Sequence, residues 1–159
     1  MNVKIVSLIK EIERHMSILQ KLVDYHGTYT QKINDNQQTE RSIIIGDIIV
    51  KYYTCAETIF FRISQFFENN LTSEKWHQDL LNKMTLQIDG IRESVISENT
   101  FIILLELLKF RHFQRYFFDI NYDPDKIIFL EKKLIQINPM LMKDLQQFIQ
   151  YLKSISIEK

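Results

Sequence analysis

Arg111, His112, Arg115, Tyr116 and Asp119 lie near the end of an otherwise apolar run that begins at Leu104. In a helix, 111/115/119 and 112/116 are successive i, i+4 steps, so all of them fall within an arc of roughly 140°. Guanidinium, imidazole, phenol and carboxylate groups then share one face. Such a face suits a phosphodiester. Arginine forks match phosphate oxygens, and an imidazole exchanges protons near neutral pH. The competing structural reading is the solvent side of an amphipathic helix, which carries the same residue types for no chemical purpose.

The elements that must position this face read as helices. Residues 3–25 place Val3, Ile5, Leu8, Ile9, Ile12, Met16, Leu19, Leu22 and Val23 at helical spacing. Gly27 and the polar stretch 31–39 predict a loop. A second helix from about 40 to 68 is apolar on more than one face, which marks a central helix or one covered by a second subunit. Asn69 and Asn70 are expected to end it. Thr72 or Ser73 should cap a third helix carrying Trp76, Leu80, Leu81 and Met84, with Glu74 in its first turn. Asp89 and Gly90 mark a turn, and a short helical piece is expected over 91–96. Ser97 then caps the helix that carries the charged face. Asp123-Pro124 starts a further helix to about 137, and Asn138-Pro139 repeats that signal for a separate C-terminal helix.

Composition narrows the fold and the function. The 159 residues suit one domain, 1–159, and are enough for a real core. Only 3 glycines and 2 prolines leave little material for hairpins or phosphate-binding glycine loops, so the expected fold is all-α, an antiparallel helical bundle. Lysine plus arginine equals aspartate plus glutamate at 20 each, so nucleic-acid contact must come from a local patch. The lone Cys55 excludes an intrachain disulfide and a cysteine zinc site, and fits a reducing, cytoplasmic setting. Charges at Lys4, Lys10, Glu11 and Glu13 break up any signal peptide, and Asp47, Lys51 and Glu57 make 43–61 a buried helix instead of a membrane span.

The run Phe110, Arg111, His112, Phe113, Gln114, Arg115, Tyr116, Phe117, Phe118, followed by Asp123-Pro124, resembles the HepT-like proteins of the HEPN superfamily. Tyr53, Thr54, Cys55, Ala56 and Glu57, continuing to Arg62 and Ile63, resemble that family's long helix. Trp76, His77, Leu80, Leu81 and Met84 resemble its Trp-His-x-x-Leu-Leu-x-x-Met segment. The resemblance spans about 42–130, and the terminal helices add little to it. It implies a dimeric HEPN-like bundle that brings two charged helices towards a shared cleft. It also implies a metal-independent RNase toxin without cofactor, paired with a small nucleotidyltransferase antitoxin. The family signature is an arginine, four to six intervening residues, then a histidine, often with a tyrosine two positions later. Arg111 matches the arginine. Tyr116 stands where the histidine belongs, Phe118 stands where the tyrosine belongs, and no histidine lies downstream of His112.

That departure has chemical content. Cutting RNA without a metal means deprotonating a 2′-hydroxyl, stabilising the charged phosphorane and protonating the leaving oxygen. Arg111 and Arg115 are the expected phosphate and RNA contacts. Arg111, His112 and Tyr116 are the catalytic candidates, and Glu57, Arg62 and Asp119 are expected to support them. A phenol with an ordinary pKa near 10 is a poor base at neutral pH, and His112 is expected to point in a different direction from Tyr116. The chain is therefore expected to cut RNA slowly or not at all, with a non-catalytic HEPN module binding RNA, a nucleotide or a nucleotidyltransferase as the alternative. Elsewhere, His77 reads as a helix-surface or packing residue. His15 and His26 have no metal spacing. Phe66-Phe67 and Phe117-Phe118 read as core or dimer interface.

Overall fold

A computed structural model describes residues 2–68 and 76–157. The described chain is all-α: α1 (Val3–Lys32), α2 (Gln38–Phe67), α3 (Trp76–Met84), α4 (Glu98–Tyr116) and α5 (Pro124–Ile157). The caps expected at 69–74 lie outside the described residues. Helix α2 packs against all four others and is the centre of the bundle. Its apolar residues on several faces are thereby covered within one chain: Ile45, Ile49, Tyr52, Tyr53, Phe60 and Ile63 are fully buried, and Ile43 is its exposed large apolar residue.

Helix α1 does not stop at Gly27. It begins on Asn2, whose side chain accepts from the Lys4 amide at 3.0 Å, and continues to Lys32, leaving a connection of only 33–37. A helical glycine costs about 1 kcal/mol relative to alanine, and the contacts around it outweigh that. Tyr25 and Tyr29 stack with centroids 6.1 Å apart. Buried His26 donates from Nε2 to Glu131 Oε2 at 2.7 Å. Glu131 also takes both Nη groups of Arg41, at 2.7 and 2.8 Å, so one carboxylate ties α1, α2 and α5 together.

This triad carries an acid-stability prediction. Burial pushes the Glu131 carboxyl up, but the hydrogen bonds from His26 and Arg41 and the Arg41 charge outweigh it, and its pKa lies below the ordinary value. A depressed carboxylate pKa contributes stability that is present above the unfolded value, about 4.3, and is lost as pH falls through the folded one. Urea unfolding between pH 7 and pH 3 should show a steeper acid loss for the native chain than for Glu131→Gln. Parallel curves would contradict the assignment.

Helix α5 runs unbroken through Asn138-Pro139, where the sequence predicts two helices. Proline inside a helix costs about 3 kcal/mol, and tertiary packing overrides it here. Leu130, Leu134, Ile137, Leu141 and Leu145 bury one continuous stripe across the proline. Asn138, instead of capping a new helix, is buried. It accepts from Tyr52 Oη at 3.0 Å and donates to Gln20 Oε1 at 2.9 Å.

The segment between α3 and α4 is likewise not the short helix expected over 91–96. Gly90 turns the chain with φ 73°, and the Arg92 side chain is fully buried beneath the turn. It donates to Glu68 at 2.6 Å and to the carbonyls of Lys83, Leu86 and Glu93. The backbone is paired in other ways: Ile88 and Arg92 exchange amide bonds, and the Val95 and Ile96 amides donate to the Met84 carbonyl, so 91–96 forms no helical ladder. The Ser97 cap forms as its sequence predicts, its hydroxyl accepting from the Thr100 amide at 3.2 Å. Asp144 of α5 accepts from the Ser97 amide and the Thr100 hydroxyl, which fixes where α4 starts.

Candidate functional site

Helix α4 divides along its length. Its first part buries Ile103, Leu104, Leu107, Leu108 and Phe110 against α2 and α5. Beyond Phe110 the neighbours recede: His112, Phe113, Arg115 and Tyr116 are exposed, and Arg111 is partly buried. The helix ends at Tyr116, with Arg115 in the last turn, where a cation is favourable.

Arg111 turns inwards. Its fork grips Glu57 of α2 with both oxygens, Nη1 to Oε1 at 3.1 Å and Nη2 to Oε2 at 2.9 Å. Nη1 also donates to Thr54 Oγ1 at 3.3 Å, and the guanidinium carbon lies 4.8 Å from the Tyr53 ring centroid. Glu57 has a side chain only 8% exposed and Arg111 15%, so this is an ion pair under the surface and not a solvated one. Burial and then the Glu57 charge push the Tyr53 phenol well up, against the pull of Arg111. The Tyr53 hydroxyl is buried without a hydrogen-bond partner among the described residues.

His77 completes the network. Its Nδ1 is 2.9 Å from Glu57 Oε2 and 3.0 Å from Arg111 Nη2, and Trp76 stacks on its ring with centroids 3.7 Å apart. Above this buried layer lies a cavity of about 550 Å³. His77 and Gln78 form one wall, and Lys109, Arg111, His112, Arg115 and Tyr116 form the other. Its polar edge carries imidazole, guanidinium and phenol groups over a floor that includes Leu105 and Leu108.

Arg111, His112, Arg115 and Tyr116 thus line one cavity, and Glu57 holds Arg111 from below. Two expected supporters are elsewhere. Arg62 is exposed and reaches Glu11 of α1 at 3.4 Å, because it lies five residues past Glu57 and so on a different face of α2. Asp119 lies beyond the end of α4. Its carboxylate accepts from the Ile120 and Asn121 amides at 2.6 and 3.3 Å and organises its own turn. His112 and Tyr116 do not diverge as expected. They are one helical turn apart, and their rings meet edge to face at 5.4 Å. His77, a packing residue by sequence alone, belongs to the site. The usable signal is Glu57, a carboxylate in an apolar helix that needs more donors than one arginine supplies.

A model of HepT-like proteins matches residues 44–152, most of the chain. The chain belongs to the HepT-like family. The match takes in most of α2, all of α3 and α4 and most of α5, so α5 contributes more to the resemblance than its sequence alone suggests. A search of curated proteins finds no match. In this HepT-like protein Arg111 is the partner of buried Glu57, and Tyr116 is 62% exposed at the cavity mouth. No helix among the described residues is long and apolar enough to cross a membrane.

Proposed function

We propose that this HepT-like protein acts on single-stranded RNA in the cavity beside α4, as a metal-independent endoribonuclease weakened at position 116. We place it in a toxin–antitoxin pair with a small nucleotidyltransferase. The observation that carries the reading is the gathering of His77, Arg111, His112, Arg115 and Tyr116 around one cavity. Arg115, exposed in the last turn of α4, is the arm that meets a backbone phosphate. Arg111, gripped by Glu57, acts as a fixed positive charge beneath the phosphate and holds the wall in place. A phenol at position 116 donates a hydrogen bond but is a weak proton acceptor at neutral pH. Incubating end-labelled RNA with the protein in EDTA tests this. Slow formation of 2′,3′-cyclic phosphate ends supports it, and absence of both cleavage and RNA binding removes it. A neighbouring open reading frame for a small nucleotidyltransferase supports the pairing, and its absence counts against it.

One observation favours a non-catalytic reading, in which the same cavity binds RNA, a nucleotide or the nucleotidyltransferase. Both Nη groups of Arg111 are already engaged by protein atoms, so no full fork is free to clamp a phosphate. RNA binding without any cleavage would select it.

The assembly we propose is a two-fold homodimer. Within one chain, Phe118 is 93% exposed, and Phe113 and Ile120 near the same end of α4 are 46% and 57% exposed. A second copy covering these residues brings two α4 ends together across the axis. Light scattering at micromolar concentration should give a dimer, and Phe118→Asp should shift it to monomer. A native monomer would remove the composite cleft.

A further inference from the structure

Two groups of opposite hydrogen-bonding character meet one ring nitrogen of His77. Arginine Nη2 only donates, and an ionised carboxylate only accepts. Nδ1 of His77 lies within hydrogen-bond distance of both, 3.0 Å from Nη2 and 2.9 Å from Oε2. Nη2 already has Oε2 as its acceptor at 2.9 Å. Nδ1 can donate a proton to Oε2, or, when bare, accept from the second N–H of Nη2. In the Nδ1–H form the neutral ring keeps its lone pair on Nε2, the outer edge of an imidazole whose inner edge faces Glu57. No hydrogen bond to Nε2 arises among the described residues. The ring is held on its face by Trp76 and is 31% exposed on the cavity wall. A carboxylate that orients an imidazole through Nδ1–H while Nε2 faces a substrate space is the arrangement of an oriented general base.

We infer that His77, oriented by Glu57, is the proton acceptor of this cavity in place of the histidine missing at position 116. The inference rests on the ribonuclease reading above. Nε2 takes the proton of the ribose 2′-hydroxyl, and the freed 2′-oxygen bonds to the adjacent phosphorus. The phosphorus–5′-oxygen bond breaks with its electron pair on the 5′-oxygen, which takes a proton from solvent. The products are a 2′,3′-cyclic phosphate and a 5′-hydroxyl, with no metal or redox partner. Among the described residues, the charged and titratable groups sharing this network and cavity with His77 are Glu57 on α2 and Lys109, Arg111, His112, Arg115 and Tyr116 on α4.

The test uses the full-length protein, a mixed-sequence single-stranded RNA oligonucleotide and EDTA. Cleavage and RNA affinity are measured separately from pH 5 to pH 9. Native cleavage should rise with pH, since a proton acceptor must be unprotonated to act. His77→Gln should lower it at least 100-fold with affinity within threefold, and should flatten that limb. His77→Ala should regain part of the rate with added imidazole, which a purely structural role does not allow. Glu57→Gln, which keeps the shape but weakens the orienting bond, should reduce the rate without loss of affinity. Native cleavage that persists within threefold in His77→Gln overturns the inference and leaves the ribonuclease reading standing. Loss of binding together with cleavage in His77→Gln also overturns it. A native protein that binds RNA but never cuts it overturns it too, and one that neither binds nor cuts overturns the reading beneath it as well.

Discussion

Arg111→Ala should lower folding stability by about 3–5 kcal/mol, because it strands the Glu57 carboxylate under the surface without its cation. In a chain of this size that is a fall in melting temperature on the order of 10 °C. The partial compensation is His77, which donates one bond to Glu57 but does not grip both oxygens. Arg111→Lys should recover part of the loss: it restores the charge and not the fork. Urea unfolding of the three proteins decides it, and a change below about 1 kcal/mol for the alanine variant would mean the pair is solvated. The consequence reaches function. Loss of activity in Arg111→Ala combines a missing charge with a loosened wall, so the lysine variant and a measured stability are needed before the residue is credited with catalysis.

Tyr116→His should raise RNA cleavage by about 10²-fold or more, the ordinary range for a positioned proton-transfer group. The position is suited to it. Tyr116 is exposed at the cavity mouth, and its ring already touches His112. A histidine there would face the RNA from α4 while His77 faces it from α3, giving a proton acceptor and a proton donor on opposite walls. Arg111→Lys in this background should reduce the gain, since the charge beneath the phosphorane would no longer be held by both oxygens of Glu57. An unchanged rate for Tyr116→His would place the reaction away from α4.

The helices were legible because apolar period and cap chemistry agree for most of the chain. Ser97 and Asp123-Pro124 start α4 and α5 where their side chains say they should. The misses share one cause: side chains distant in sequence overrode local signals. Gly27 and Asn138-Pro139 are breakers by propensity, yet Glu131 anchors the first helix and a leucine stripe carries the second. The stretch 91–96 has a helical pattern but is a loop, its amides drawn back to Ile88 and Met84 and its buried Arg92 tied to Glu68. At the candidate site, spacing placed Arg111, His112, Arg115 and Tyr116 on one cavity, since they lie on one helix. Spacing could not place His77, which reaches the cavity from another helix, nor foresee that α4 ends before Asp119. Local periodicity gives faces. It does not say which faces meet.

RNA affinity measured against salt is the most direct test of the α4 cavity as the RNA site. Fluorescence anisotropy of a labelled single-stranded oligonucleotide would compare the native protein with Arg115→Ala, chosen because Arg115 is exposed. The expected result is binding that weakens linearly in log–log form as salt rises. Arg115→Ala should bind more weakly, with a slope shallower by about 0.7 for each phosphate it no longer neutralises. Equal affinity and equal slope for the two proteins would contradict it.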